Sequence, residues 1–225
     1  MRAVLVTGSA RGLGAAVAER LRRDGYAVVG ADVQGGDVEL DVRSADGWDE
    51  AAQALQAAGE PWALVNCAAR TVVRDLFAIE PDEWDDVLAV NLRGPFLGIR
   101  AIGPLLRAQG AGRIVNVSSD SAYKGRGLIG AHYATSKAAL LALTRRAAGA
   151  LAADGVTVNA VVPGTIDGET VRELAGDHLD ELADEAALGR LAAPAEIASL
   201  VAWLVSDESS YVTGAALVAD GGASL

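Results

Sequence analysis

The segment Ala3-Val-Leu-Val-Thr-Gly-Ser-Ala-Arg-Gly-Leu-Gly14 joins an apolar, strand-like run to a glycine-rich turn, and a helical pattern follows from Ala15 to Arg23. Glycines at such a junction permit positive φ angles and let a phosphate approach the backbone, while the helix N-terminus supplies free N–H groups. We therefore predict a phosphate-binding unit. Its spacing is Gly-x-x-x-Gly-x-Gly, not the commoner Gly-x-Gly-x-x-Gly, and an ordinary tight strand–helix turn is the alternative.

Strand-like and helical patterns alternate along the rest of the chain. We predict strands at 27–32, 37–40, 61–66, 113–117, 156–162 and 215–219, and helices at 45–58, from about 81 with a kink at 94–95, from about 133 to 153, and at 194–205. This alternation predicts an α/β fold in which a parallel sheet is covered by helices on both faces.

No repeat, low-complexity tract or linker interrupts the 225 residues, so we predict one domain over 1–225. Residues 165–188 follow a predicted strand and are rich in acids, alanine and glycine, with weak helical patterning. We expect this segment to be a lid over a substrate site, because such sites lie where strands of this fold end.

Composition and charge exclude several classes of function. The net charge of −11 would repel a nucleic-acid backbone, so we expect no nucleic-acid partner. The lone Cys67 cannot form an internal disulfide, and His132 and His178 lack metal-ligand spacing, so we expect no metal. No apolar run approaches the roughly 20 residues of a membrane span, and no leader-like segment is present. We expect a cytoplasmic protein without membrane association.

The residues from Ser118 to Lys137 carry the pattern of a proton-transfer site. Tyr133 and Lys137 are spaced i, i+4 at the start of a predicted helix, so their side chains leave the same face. A tyrosine titrates near roughly 10, and a neighbouring positive charge favours its phenolate. A serine cluster, Ser118, Ser119 and Ser121, follows the preceding strand, where open α/β sheets bind ligands.

Asp32 ends the second predicted strand. A carboxylate at this point can accept hydrogen bonds from an adenosine ribose and would repel a 2′-phosphate, which favours NAD over NADP. Arg11 in the glycine turn is a weaker signal for NADP, because its cation could meet that phosphate. The alternative for Asp32 is a solvated acid at a strand end.

Taken in order, these motifs resemble those of the short-chain dehydrogenase/reductase family over nearly the whole chain. The matching pieces are Thr7-Gly-x-x-x-Gly-x-Gly14, Asp32, Asp41-Val42, Asn66-Cys-Ala-Ala69, Asn91, the serine cluster, Tyr133-x-x-x-Lys137, Pro163-Gly164 and Tyr211-Val-Thr-Gly214. The resemblance implies a Rossmann-type, doubly wound, seven-stranded parallel sheet with strand order 3-2-1-4-5-6-7, and a homotetramer or homodimer.

The resemblance also implies four catalytic positions. Tyr133 would be the general acid/base, and Lys137 would hold the nicotinamide ribose and depress the pKa of the tyrosine. Ser119 would bind the substrate oxygen. Asn91 would fix a water that connects Lys137 to solvent, although taken alone an asparagine before Gly94-Pro95 reads as a helix-bending residue. The positions implied for NAD(H) are Gly8, Ser9, Arg11, Gly12, Leu13, Gly14, Asp32, Asp41, Val42, Asn66, Ala68, Tyr133, Lys137, Pro163, Gly164, Thr165 and Ile166.

Two features depart from the family pattern. The turn after the fourth strand is Asn66-Cys-Ala-Ala69 where the family usually has Asn-Asn-Ala-Gly, so a methyl group stands beside the expected cofactor. The interval from serine to tyrosine is also one residue longer than usual, since counting back thirteen from Tyr133 gives Asp120. We choose Ser119 from its alignment with the strand end, and Ser118 and Ser121 are alternatives.

The leading hypothesis is an NAD-dependent oxidoreductase for a small secondary alcohol or ketone. A 3-oxoacyl-carrier-protein reductase is the first alternative, because it shares these motifs. A basic patch for its acidic carrier could come from Arg11, Arg70, Arg74, Lys124 and Arg126. A non-catalytic nucleotide-binding protein is the second, although such proteins typically lose the tyrosine or lysine that this chain keeps.

Overall fold

Seven strands form one sheet in the computed structural model, which describes residues 1–125 and 127–225. Arg126, considered above for a carrier-binding patch, lies outside the described residues. The order is β3-β2-β1-β4-β5-β6-β7 and every pairing is parallel, which confirms the prediction. The strands are β1 Arg2–Thr7, β2 Ala27–Asp32, β3 Val38–Glu39, β4 Glu60–Asn66, β5 Gly112–Val117, β6 Val156–Pro163 and β7 Ala216–Ala219.

The third strand is shorter than the predicted 37–40. The side chain of Asp37 supplies the reason, since its carboxylate accepts a hydrogen bond of 2.8 Å from the backbone N–H of Gly30 on β2. A side chain thereby takes the place of a backbone acceptor at the start of β3. Two residues remain in the ladder, where Val38 and Glu39 pair with Ala31 and Asp32.

Helices connect the strands and cover both faces of the sheet. They are α1 Gly12–Arg23, α2 Ala45–Ala58, α3 Pro81–Leu88, α4 Gly94–Gln109, α5 Ala131–Leu151, α6 Glu169–Ala175, α7 Leu179–Asp184 and α8 Pro194–Val205. Helix α1 begins three residues before its predicted start, because Gly12, Leu13 and Gly14 form its first turn. Over the described part of the chain, no helix has the length and apolar character needed to cross a membrane.

Two apolar cores lie on opposite faces of the sheet. One packs α2, α4 and α5 against it through residues such as Trp48, Ile102 and Leu151. The other packs α1 and α8 through residues such as Leu21 and Val201. Buried apolar area on both faces is the main stabilising term of such a sheet, and it fixes the strand ends at which loops emerge.

The helix predicted to kink near Gly94-Pro95 is interrupted just before that point. Residues Ala89–Arg93 form a π-helical turn between α3 and α4, and Asn91 lies within it, fully buried. A π-turn breaks the regular hydrogen-bond ladder of a helix and often marks a functional site. The turn directs the Asn91 side chain into the protein.

Residues 165–188 form two short helices, α6 and α7, joined by a single 3₁₀ turn. The segment is fixed at both ends. Ile166 forms an isolated parallel bridge with Ala192, and the N–H of Leu188 donates to the carbonyl of Gly221 at 3.0 Å. The weak helical patterning of the sequence thus corresponds to short helices held at their base.

Candidate active site

A cavity of about 630 Å³ opens where β1, β4, β5 and β6 end. In parallel α/β sheets, ligands bind outside the carboxyl ends of the strands, where the strand order reverses. The reversal here lies between β1 and β4. Of the sequence-predicted site residues, those that line the cavity are Leu13, Ser119, Tyr133, Lys137, Pro163, Gly164, Thr165 and Ile166.

Tyr133 lies in the first turn of α5 and faces this cavity. Burial raises the pKa of its phenol to about 12, against the lowering effect of hydrogen bonds with the hydroxyls of Ser119 and Thr71. The negative charge of Asp120 raises the pKa further. The phenol is therefore protonated over the physiological range in the free protein, in the form that can donate a proton.

Lys137 lies one helical turn further along α5, and its side chain is almost completely buried. Its Nζ donates a hydrogen bond of 2.8 Å to the carbonyl of Val117 and lies 5.5 Å from the centre of the Tyr133 ring. Burial lowers the pKa of the ammonium to about 8.

Burial is the largest influence on the Tyr133 pKa in the free protein, and the lowering by Lys137 that the family resemblance implies stays a prediction. Desolvation of the phenol dominates, and it outweighs the neighbouring groups. The sequence places a cation beside the phenol, but it does not reveal that both groups are removed from water.

The three candidate serines have different surroundings. Ser118 is buried and its hydroxyl donates to the carbonyl of Lys137 at 2.9 Å, so it anchors the start of α5. Ser121 lies beside Ser119, with 3.2 Å between their Oγ atoms. Of the three serines, Ser119 alone is among the groups that act on the Tyr133 phenol in the described structure. The geometry therefore favours Ser119 as the substrate-binding hydroxyl.

Asn91 supports the site from behind. Its Oδ1 accepts the N–H of Arg70 at 2.8 Å, and its Nδ2 donates to the carbonyl of Arg70 at 3.0 Å and to Ser136 Oγ at 3.1 Å. These contacts tie the loop after β4 to α5. They occupy the side chain with protein partners, and the expected binding of a water by Asn91 stays a prediction.

The glycine-rich turn has the geometry of a phosphate cradle. Gly8 has φ +69°, and a Cβ there would lie 2.8 Å from the Cα of Ala68. Gly12 has φ +56° and faces open space, since a Cβ added there would have nothing within 4 Å. The N–H of Ala15 is the first to find a helical acceptor, the carbonyl of Arg11, so the preceding N–H groups of α1 are available.

These features fit the pyrophosphate of a dinucleotide. An anion at this position would meet the N–H groups of Gly12, Leu13 and Gly14 and the positive end of the α1 dipole. Ser9 follows Gly8 in this turn and packs against β2. A Cβ added at Gly30 of β2 would lie only 2.6 Å from Ser9 Oγ. Arg11 is exposed at the N-cap and makes no side-chain capping bond.

Asp32 lies at the edge of the same turn. Its Oδ2 accepts a hydrogen bond of 3.0 Å from the N–H of Ala10. The carboxylate is thus held beside the glycine turn at the end of β2, where an adenosine ribose would lie in a fold of this kind.

The residues expected near the adenine are placed by their own local contacts. The carboxylate of Asp41 forms an ion pair with Arg43 at 2.7 Å, and its hydrogen bonds with Arg43 hold the pKa of the Asp41 carboxyl below its usual range. Val42 is buried against Gly94, where an added Cβ would lie 2.8 Å from Val42 Cγ2. Bulk at position 94 would displace Val42.

Asn66 and Ala68 are held by the interior of the protein. The Asn66 side chain donates to Asn116 Oδ1 at 2.8 Å between β4 and β5, so any cofactor contact is left to its backbone. The N–H of Ala68 donates to Thr7 Oγ1 at 3.1 Å, which fixes the turn against β1. Between them, burial raises the pKa of the Cys67 thiol to about 12.

His132 has no place in the cavity wall. It is completely buried, its Nδ1 accepts the N–H of Tyr133 at 3.0 Å, and its Nε2 lies 3.3 Å from Glu83 Oε1. It therefore supports the first turn of α5.

Three cavity residues near Tyr133 were given no role in catalysis or cofactor binding from the sequence, although Lys124 was considered for a carrier-binding patch. Thr71 contributes a hydroxyl to Tyr133, and Asp120 and Lys124 form an ion pair of 2.7 Å inside the cavity. Asp120 could have been found from its place thirteen residues before Tyr133, where the family pattern has serine. Thr71 and Lys124 lie in loops that carry no periodic signal.

Comparison with known proteins agrees with the family resemblance described from the sequence. The family model described as enoyl-(acyl carrier protein) reductase matches residues 8–224. A short-chain reductase protein, NovJ, of Streptomyces niveus is 41% identical over 97% of this chain and 92% of its own length. The chain belongs to the short-chain dehydrogenase/reductase family.

Other members of the short-chain dehydrogenase/reductase family match equally fully. An acetoacetyl-CoA reductase of Shinella zoogloeoides is 35% identical over 98% of each chain. A solved structure, a putative NAD(P)-dependent gluconate 5-dehydrogenase from Beutenbergia cavernae with bound NADP, superposes with a TM-score of 0.91. It is 31% identical and the match covers 98% of this chain and 96% of that one. Family membership makes this protein an oxidoreductase that uses a nicotinamide cofactor.

Proposed function

We propose that the protein transfers a hydride between NAD(H) and a small secondary alcohol or ketone, with Tyr133 as general acid/base. One observation carries the proposal. The phenol of Tyr133 faces a cavity at the carboxyl edge of the sheet, with the Ser119 hydroxyl acting on it and the Lys137 ammonium 5.5 Å from its ring.

Each of the three side chains has a distinct task in this proposal. The Ser119 hydroxyl binds the substrate oxygen beside the phenol. Tyr133 donates its proton to that oxygen during reduction and accepts it back during oxidation. Lys137 binds the ribose next to the nicotinamide and exchanges its present bond to Val117 for that contact. A nicotinamide, when bound, supplies or accepts the hydride.

The preference for NAD rests on Asp32. Its carboxylate is fixed beside the glycine turn by Ala10, and a 2′-phosphate there would meet like charge. The gluconate dehydrogenase structure contains NADP, so the family accommodates either cofactor. In this chain the exposed Arg11 is the feature that favours NADP, and we rank a fixed carboxylate above a mobile cation.

Reduction of a 3-oxoacyl thioester is the second candidate function. The name of the acetoacetyl-CoA reductase favours it, because acetoacetyl-CoA is a 3-oxoacyl thioester. The cavity of this protein is lined by the carboxylates of Asp75, Asp120 and Glu185 and also by the cations of Arg74, Lys124 and Lys137, so its charges balance and offer an anionic carrier arm no net attraction. We therefore rank small neutral carbonyl compounds first.

Residues 165–188 complete the proposal as a lid over the substrate, because Thr170, Val171 and Leu174 line the cavity. We also propose that residues 1–225 form one domain, that the protein is a homotetramer or homodimer, and that it is cytoplasmic. These proposals rest on the sequence and on family membership.

A substrate panel tests the proposal. Purified protein is assayed for NADH and NADPH oxidation with cyclic, aryl and linear ketones and with acetoacetyl-CoA, and for the reverse reaction with the corresponding alcohols. Turnover of ketones with NADH supports the first candidate, and turnover confined to the thioester supports the second. Absence of hydride transfer on every compound, with NADH bound, contradicts both.

A further inference from the structure

Asp120 is a buried carboxylate beside the proposed catalytic groups. It follows Ser119 directly, begins the 3₁₀ turn Asp120–Ala122 and is only 5% exposed. A carboxylate is retained in such a position only when charged or polar partners compensate for lost hydration. Its partners therefore indicate what it does.

One oxygen of Asp120 faces Ser119. The Ser119 hydroxyl lies 3.2 Å from Asp120 Oδ1 and 3.2 Å from Ser121 Oγ, and it accepts the N–H of Ser121 at 3.2 Å. An ionised carboxylate is a stronger acceptor than a neutral hydroxyl, so the hydrogen of Ser119 is directed to Asp120. The other side of the Ser119 oxygen is then free to accept a hydrogen bond from the phenol.

The other oxygen of Asp120 is held by Lys124. Nζ of Lys124 lies 2.7 Å from Asp120 Oδ2 and 2.9 Å from Glu185 Oε2, which follows α7 in residues 165–188. Burial alone would lower the pKa of Lys124, but its ion pair with Asp120 and its hydrogen bond to Glu185 outweigh this and raise the pKa. Lys124 is therefore a cation held beside the Asp120 carboxylate.

We propose that Asp120 is a positioning residue of this site. It accepts the Ser119 hydrogen and so turns the Ser119 oxygen toward Tyr133, while Lys124 holds the Asp120 carboxylate in place. This inference rests on the proposed roles of Tyr133 and Ser119. The Asp120 carboxylate then acts on the Tyr133 phenol in two ways, through the Ser119 hydroxyl and through the electrostatic effect of its own charge. Removal of the Asp120 charge makes the phenolate easier to form, and removal of Lys124 makes it harder.

Other groups around the phenol do not replace this effect. Lys137 on α5 is bound to Val117, and the Cys67 thiol after β4 is neutral, since burial raises its pKa to about 12. Arg74 is paired with Glu83 at 2.8 Å. In the described structure, the titratable groups that line the cavity with Tyr133 are Lys137 from α5, Cys67 from the turn after β4, Arg74 and Asp75 from the loop that follows it, Asp120 and Lys124 from the loop after β5, and Glu185 from the end of residues 165–188.

The first experiment measures ionisation of Tyr133 directly and needs no turnover. Tyrosinate absorbance is titrated in the wild type, Asp120→Asn and Lys124→Met, each against the same protein carrying Tyr133→Phe, with circular dichroism confirming the fold at each pH. We expect Asp120→Asn to lower the midpoint by on the order of one pH unit and Lys124→Met to raise it. Asp75→Asn, which removes another cavity carboxylate, is the control and should leave the midpoint unchanged.

The second experiment separates orientation from charge. Asn at position 120 can still accept the Ser119 hydrogen, whereas Ala cannot. With a ketone that the enzyme reduces, Asp120→Ala should lose about tenfold in kcat, and Asp120→Asn should recover most of that loss. The pH profile of kcat/KM for alcohol oxidation should shift downward in Asp120→Asn.

An unchanged midpoint in both Asp120→Asn and Lys124→Met overturns the inference, and so do shifts of the same sign. If Asp120→Asn does not fold, Lys124→Met decides alone by the direction of its shift. Failure of the proposed function is recognised separately, as absence of hydride transfer in the wild type, and the titration remains decisive in that case.

Discussion

The backbone N–H of Ala10 donates a 3.0 Å hydrogen bond to Oδ2 of Asp32, which joins the glycine-rich turn to the end of β2. The contact fixes one carboxylate oxygen and leaves the other facing the edge of the sheet, where Oδ1 lies 3.4 Å from the N–H of Gln34. A group so held cannot move away from an added phosphate at low cost, and the proposed preference for NAD rests on this.

Asp32→Asn should therefore change the cofactor preference. Asparagine can still accept the hydrogen bond from Ala10, but it no longer repels a 2′-phosphate. We expect the ratio of kcat/KM for NADPH to that for NADH to rise by about tenfold or more, equivalent to roughly 1.4 kcal/mol. Glu39→Gln, which changes an exposed acid on the neighbouring β3, is the control. A wild type that already prefers NADPH would show that Asp32 has no such role.

Tyr133→Phe should abolish turnover and leave cofactor binding largely intact. The change removes the proton donor but keeps the ring, and general acid/base groups contribute about 10²–10⁴-fold to rate. The measurements are kcat with a reducible ketone and the dissociation constant of NADH by fluorescence. Tyr123→Phe, which alters a half-exposed tyrosine in the nearby loop, should keep full activity. Substantial activity in Tyr133→Phe would exclude the assigned role.

Lys137→Met should stabilise the free protein at neutral pH while removing activity. Burial lowers the Lys137 pKa from 10.5 to about 8, so a charged ammonium destabilises the folded state at every pH below 8. That penalty declines as the pH rises from 8 to 10.5 and is absent above it. We expect a gain of roughly 1–3 kcal/mol in the free energy of unfolding at pH 7, reduced by the lost bond to Val117.

Urea unfolding at several pH values measures this effect. The difference between Lys137→Met and wild type should shrink as the pH rises above 8. Arg145→Met, at an exposed position on the same helix, controls for the loss of a basic side chain. A variant less stable than wild type at every pH would show that the Val117 contact outweighs the burial of charge.

Gly14→Ala and Gly149→Ala should have opposite effects on stability. A Cβ at Gly14 would overlap the carbonyl of Gly8, so the turn must shift, and we expect a loss of about 1–3 kcal/mol or more. Gly149 lies exposed within α5, and a Cβ added there would have nothing within 4 Å, so alanine should stabilise the helix by about 1 kcal/mol. Urea unfolding of both variants checks the pair, and equal effects would contradict the packing argument.

Local periodicity and turn chemistry were enough to predict most of the fold. The bounds of β2, α2 and α8 agree with those predicted, because each element carries its own apolar pattern and its own terminating residues. The length of β3 was predicted incorrectly, since the Asp37 side chain replaces part of its ladder of backbone hydrogen bonds. Nothing in the local sequence shows which acceptor a backbone N–H will choose.

The parts of the site that lie on one helix could be predicted from the sequence. Contacts between side chains of different loops could not. Tyr133 and Lys137 share a helix, so their spacing places them together. The link from Asp120 through Lys124 to Glu185 joins two loops that are distant in sequence, and only tertiary structure brings them together. The pKa of Tyr133 depends on burial, which no single-sequence motif encodes.

The two ties at the base of residues 165–188 have a consequence for how this protein can change. The bridge of Ile166 to Ala192 and the bond of Leu188 to Gly221 hold both ends of the segment against the sheet. Because closing a longer loop costs little additional entropy, the intervening residues can be exchanged for a longer or unrelated insert while β6 and β7 keep their register. Under the proposed function, in which this segment is the lid, substrate range would diversify by grafting within it while the groups for hydride and proton transfer stay unchanged.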